Sequence, residues 1–156
     1  MSMNVVTATS QHCTEWLRLR DAVYTGVDRA FHEQEMTLHL RDKTKECFLA
    51  VMESGYACGM IEVSLRNVVD GCLTSPVGYV EGIYVDPEHR GSGLARQLLE
   101  QAERWCRLMG CTEIATDAEL DNHDAQQFHE RMGFKETYRI VEYRKTLQVA
   151  TNEDKP

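Results

Sequence analysis

The stretch that most restricts the fold runs from Val77 to Met109, where a strand, a glycine turn and an amphipathic helix follow one another without a gap. Val77–Val85 is rich in β-branched and aromatic residues, and Asp86-Pro87 ends it because proline has no N–H to give to a ladder. His89-Arg90-Gly91-Ser92-Gly93 makes the turn. Leu94, Leu98, Ala102, Trp105 and Met109 then recur at helical spacing, Leu99 and Cys106 widen the same face, and Gly110 closes the helix. A further strand is predicted over Thr112–Asp117, so the unit should close as a right-handed parallel crossover.

The flanking elements follow from the same signals. Asn4–Thr9 reads as a strand, and Ser10 as the cap of a helix reaching Tyr24 with Trp16, Leu19 and Val23 inward. A second helix is predicted over His32–Asp42. Cys47–Glu53 and Tyr56–Leu65 flank the Ser54-Gly55 turn and read as an antiparallel hairpin. Asn122–Met132 is a short helix closed by Gly133, and Phe134–Leu147 a last strand. The order is β-α-α-β-β-β-α-β-α-β, an α/β (α+β) chain with a mixed sheet. One domain is expected over residues 1–150, with a flexible tail over 151–156. A compact chain of this size exposes roughly 8,000 Å².

Asp and Glu number 25 against 17 Lys and Arg, a net charge of −8. That balance argues against a nucleic-acid binder and suits a cationic small molecule. No apolar run is long enough to span a bilayer, and MSMNVVTATSQHC lacks a basic region followed by an apolar one, so a cytoplasmic location is expected. The six cysteines contain no CxxC pair, and His123 and His129 are poorly spaced for one helix face. Reduced thiols are therefore expected, and no metal.

The glycine turn carries the chemistry. Gly91 and Gly93 let the backbone approach a ligand without a Cβ clash, and beside the unpaired N–H groups of a helix start they make a nest for phosphate oxygens, to which Arg90 can add charge. No lysine follows Gly93, so this is not a mononucleotide P-loop, and GxGxxG is incomplete, so it is not a dinucleotide fingerprint.

Arg90, Gly93 and Ala95 match (Q/R)xxGx(G/A), and the segment resembles motif A of the GCN5-related N-acetyltransferases. Asn122-x-x-Ala125-x-x-Phe128, followed by Gly133-Phe134, resembles that family's downstream motif. The resemblance implies an acetyltransferase fold whose central mixed sheet splays between two parallel strands, with pantetheine in the gap. It implies acetyl-CoA as cosubstrate, its pyrophosphate held by Arg90, Gly91, Ser92, Gly93, Leu94 and Ala95. Backbone groups of Ile83 and Val85 would meet pantetheine and the acetyl group, and Asn122 the pantetheine arm. Trp16-Leu17-x-Leu19-Arg20, Glu81-Gly82-Ile83-Tyr84-Val85 and Asp117-Ala118-x-Leu120-Asp121-Asn122 extend the resemblance to small dimeric aminoglycoside 6'-N-acetyltransferases. A homodimer is implied by that resemblance alone.

Acetyl transfer needs the attacked amine neutral, and a carboxylate inside a strand is costly if dry and unpaired. Glu81 sits on a strand where Val77, Tyr79, Glu81, Ile83 and Val85 are expected to share one face. Either it pairs with a neighbouring cation, or, as the resemblance implies, it meets the substrate amine. Asp117 ends the adjacent parallel strand and should face the same cleft. By resemblance, Tyr24 and Tyr138 join the sugar contacts, and His129 stands where many relatives carry a tyrosine that protonates the thiolate. Val85 N–H would stabilise the oxyanion. The sequence therefore points to acetyl transfer onto the 6'-amine of an aminoglycoside. The alternatives are an acetyltransferase for a polyamine or protein N-terminus, and a non-catalytic acetyl-CoA-binding module.

Overall fold

The computed structural model describes residues 2–156. Its sheet comprises β1 (Met3–Thr7), β2 (Lys45–Met52), β3 (Ala57–Arg66), β4 (Val77–Val85) and β5 (Ile114–Ala115), in that spatial order. The first three pairings are antiparallel and β4–β5 is parallel. The helices are α1 (Cys13–Val23), α2 (Arg29–Arg41), α3 (Leu94–Leu108) and α4 (His123–Arg131). Thr9 caps the turn before α1 rather than Ser10, and Asp28 starts α2 earlier than expected by accepting from Phe31 N at 2.8 Å.

Each sheet face buries its own cluster. Leu94, Leu98, Leu99, Ala102 and Cys106 of α3 pack against Phe48, Ile61, Val63 and Val80. On the other face Trp16 and Leu19 of α1 and Met36 of α2 cover Leu49 and Met60. Burial of this apolar surface, at about 25 cal/mol per Å², is what holds helices on a sheet.

Two departures from the sequence reading matter for function. First, the β3–β4 register runs Glu62↔Gly82 and then Val63↔Val80, so Glu81 is an extra, unpaired residue in β4. This bulge breaks the alternation. Tyr79 and Glu81 face the α1–α2 side, whereas Ile83 packs with the α3 cluster and Val85 belongs to it, so the five residues do not share one face. Second, the order holds through α4, but Phe134–Leu147 forms no strand within a single chain. Residues 135–156 are all exposed, and a short 3₁₀ turn at Asn152–Asp154 is their only regular structure. The accessible surface is 10960 Å², well above the roughly 8,000 Å² of a compact chain of this size.

Candidate active site

β4 and β5 pair only at Gly78↔Ile114 and Tyr79↔Ala115. Beyond that point the parallel strands separate, with the Thr116 hydroxyl reaching Val80 O at 3.1 Å at the fork. Alternate residues of a strand aim their peptide groups at opposite neighbours. Asp86 N–H goes to Cys58 O of β3 at 2.8 Å, so Val85, and Ile83 two residues earlier, turn their N–H groups toward the opening. A narrow apolar cleft lined by Val80, Ile83, Leu99, Phe128, His129 and Phe134 lies along it.

The glycine turn stands at the end of β4. Asp86 is anchored by Arg18 at 3.3 Å and by the Tyr56 hydroxyl, which fixes where the chain leaves the sheet. Gly91 and Gly93 have φ of 79° and 82°. An added Cβ at either would meet nothing within 4 Å, so the backbone conformation, not crowding, requires glycine here. Gly93 precedes Leu94, the first residue of α3, with no side chain capping the helix, which leaves its first N–H groups open. The Arg90 side chain is turned inward, donating from Nε to Val85 O at 2.9 Å, and Ser92 Oγ donates to His89 O at 2.6 Å. Both side chains therefore brace the turn. Leu94 is buried in the core and Ala95 packs against it, so these two offer a ligand only main-chain groups.

Glu81 is ion-paired. Ser64 Oγ donates to it at 2.5 Å, and Arg66 Nη2 reaches both carboxylate oxygens at 3.0 and 2.9 Å. The Arg66 guanidinium also lies 3.5 Å from the centre of the Tyr79 ring, and the Tyr79 hydroxyl donates to exposed Asp117. Glu81 and Asp117 are thus brought into one cluster through Tyr79 and Arg66. Burial, then the Asp117 carboxylate, pushes the Tyr79 phenol up, so it stays a donor.

Below Glu81 a cavity of about 370 Å³ opens toward α1 and α2. Buried Glu62 forms its floor. It accepts from Trp16 Nε1 at 2.9 Å, Arg20 Nη1 at 2.6 Å and the Tyr24 hydroxyl at 2.8 Å. Tyr24 lies against Gly82, where any side chain would strike its hydroxyl. The Tyr24 ring walls the cavity, while its hydroxyl is committed to Glu62 and its pKa is raised strongly by burial.

The remaining expected residues divide. Asn122 Oδ1 caps α4, accepting from Ala125 N at 3.1 Å, which leaves the side-chain amide N–H for a ligand. Half-buried His129 packs edge-on against Phe128 and Phe134. Burial lowers its pKa, opposed by the main chain and carboxylate of Asp117. Tyr138 is 65% exposed on the C-terminal stretch, has no hydrogen-bond partner among the described residues and lines neither cavity, so a single chain does not bring it to Glu81. Sequence reading missed Arg66, Ser64 and Glu62. Their signal was alternation along β3, which puts all three on one face. Among the described residues no group of three or more His, Cys, Asp or Glu is placed to hold a metal ion.

The acetyltransferase (GNAT) family model matches residues 11–134. An aminoglycoside N(6')-acetyltransferase type 1 of Acinetobacter haemolyticus is 41% identical over 146 residues, 93% of this chain and 99% of the relative. The apo crystal structure of the aminoglycoside antibiotic 6'-N-acetyltransferase AAC(6')-IG from the same organism superposes with a TM-score of 0.88 at 40% identity, over 93% of this chain and 99% of that one. AAC(6')-Iy, solved with the bisubstrate analog CoA-S-monomethyl-acetylneamine, superposes with a TM-score of 0.89 at 33% identity, over 94% and 100% of the two chains.

Proposed function

The chain belongs to the acetyltransferase (GNAT) family, and from that premise we propose that it moves the acetyl group of acetyl-CoA onto the 6'-amine of an aminoglycoside. The observation that carries this reading is the opening between β4 and β5, which lies beside a carboxylate pair on one flank and the glycine turn on the other. The open amides from Arg90 to Ala95 hold the pyrophosphate, with Arg90 and Ser92 keeping the turn in shape. Ile83 and Val85 main-chain groups and the Asn122 amide hold the pantetheine arm in the gap.

The reaction is direct. The neutral amine attacks the thioester carbonyl carbon, Val85 N–H donates to the oxygen as charge builds there, and the C–S bond breaks to give the amide and the thiolate. The amine's surplus proton leaves to solvent. Glu81 and Asp117 bind and orient the polycation. His129 is held neutral by burial, so protonation of the thiolate by this residue is confined to acidic pH and a stable thiolate departs without it. The buried thiols take no part, since burial pushes Cys106 up to about 12 and raises Cys111 as well.

Two further assignments accompany this reading. Six free cysteines favour a reducing compartment, the cytoplasm, and among the described residues no helix is long and apolar enough to cross a membrane. The working unit is a homodimer, supported by the apolar side chains at Ile140, Val141, Tyr143, Leu147 and Val149 that a single chain leaves exposed. Tyr138 rides on that stretch, so its contact with the sugar depends on the pairing.

The test is release of free thiol from acetyl-CoA across a panel of amines. Aminoglycosides with a 6'-amine should turn over and their 6'-hydroxyl counterparts should not. Turnover of a simple polyamine or a peptide N-terminus alone would replace the substrate, and acetyl-CoA binding without turnover on any amine would remove the activity.

A further inference from the structure

Arg66 has no place in the reaction as derived so far, yet it touches Glu81 and, through Tyr79, is linked to Asp117. Its Nη2 binds both oxygens of Glu81, its guanidinium covers the Tyr79 ring, and Tyr79 in turn holds Asp117. The pair is accessible, with 43% of the Arg66 side chain and 28% of the Glu81 side chain exposed. An ion pair this accessible to water is weak enough for a competing cation to open it. Ser64 would still hold one oxygen of Glu81 after Arg66 leaves. The Tyr79 face already supports the guanidinium and can keep it there when the carboxylate is given up.

We propose that Arg66 is a positioning residue for the acceptor amine: it occupies Glu81 as a resident cation, yields the carboxylate to the incoming ammonium, and then stands beside it on Tyr79. This rests on the aminoglycoside reading above. The exchange has a chemical consequence. Two carboxylates alone would hold an amine as its unreactive ammonium, whereas a permanent positive charge a few ångströms away makes loss of that proton easier. Binding is given up in exchange for reactivity.

Among the described residues no other cation touches Glu81, although further ionisable groups line the same cavity. From β3 Glu62 faces it, from β2 Lys45, from α1 Arg20, which is spent on Glu62, and from just beyond α1 Tyr24. From α2 come Glu35 and His39, whose Nδ1 is engaged with Glu35 O at 2.9 Å, and from the strand beside it Tyr79 with Asp117.

The experiment uses the full-length protein, a 6'-amino aminoglycoside and acetyl-CoA at low ionic strength. Arg66→Met should lower KM for the aminoglycoside several-fold, lower kcat at neutral pH, and move the acid limb of the kcat profile up by about one unit, a tenfold change in the amine's proton affinity. Arg66→Lys keeps the charge and should keep the limb near its wild-type position. A raised KM with the limb unmoved in Arg66→Met would make Arg66 a mere brace for Glu81 and overturn the proposal, as would no change in either parameter. A crystal of the wild type with bound aminoglycoside gives a second reading independent of folding. Arg66 Nη2 should lie beyond 4 Å from both Glu81 oxygens, and an intact pair would end the idea. Wild-type protein inactive on every aminoglycoside is a separate outcome that removes the substrate reading itself.

Discussion

Glu62 ties α1 to β3, because its carboxylate accepts from Trp16 and Arg20 of α1 and from Tyr24 just beyond it. Glu62→Ala would leave a buried guanidinium without its partner, at a cost of about 3–5 kcal/mol. A fall in Tm of about 10 °C by calorimetry is the expected result, and a shift of only a degree or two would show the network to be dispensable. His129 makes a prediction with a sign. Burial depresses its pKa below the ordinary 6.5, so the fold favours the neutral ring. The stability this contributes is complete above that ordinary value and is lost as pH falls through the folded-state pKa. His129→Phe should therefore flatten the fall of Tm with acidification below about pH 6.5, and an unchanged slope would contradict the burial argument. Some of this was legible in the chain: a carboxylate placed mid-strand at Glu81 had to pair or bind. Arg66 as its partner was not, because the bulge that aims Glu81 toward β3 depends on a register that periodicity does not encode.

At the level of elements, the strand–turn–helix unit was the most legible part of the molecule. α3 has the strongest amphipathic pattern in the sequence, and its five buried residues are all among the seven that pattern named, while Trp105 is only partly buried and Met109 is exposed. β5 was the least legible: Thr112–Asp117 looked like a full strand, but only Ile114–Ala115 pairs. A strand's length reflects its neighbour, and here the neighbour diverges. The glycine turn gives the sharpest prediction. Gly93 sits at φ of 82°, where a β-branched side chain is strained by roughly 1–3 kcal/mol. Gly93→Val should weaken coenzyme A binding at least tenfold by calorimetric titration while the protein stays folded. Unchanged affinity would place the pyrophosphate elsewhere.

For the whole molecule, the informative quantity is surface. A single chain exposes 10960 Å², against roughly 8,000 Å² for a compact fold of this mass, and the C-terminal stretch supplies much of the difference. Phe134–Leu147 was expected to be a last strand, and a single chain forms none there, because a strand needs a partner to pair with. Sedimentation of the full-length protein should give a dimer at micromolar concentration, and Val141→Asp with Tyr143→Asp should give a monomer. A wild-type monomer would leave the apolar stretch unexplained.

The short β4–β5 pairing has one more consequence. Two rungs hold β5 to the other four strands, and Ile114 beside them packs on the α3 cluster, so this short ladder is the hinge line from which the two parallel strands diverge. Tyr79 sits at that hinge, paired with Ala115 on one side and reaching Asp117 with its hydroxyl. One tyrosine thus stands both at the base of the opening expected to take the thioester and against a carboxylate expected to take the acceptor, so the two halves of the site share an anchor.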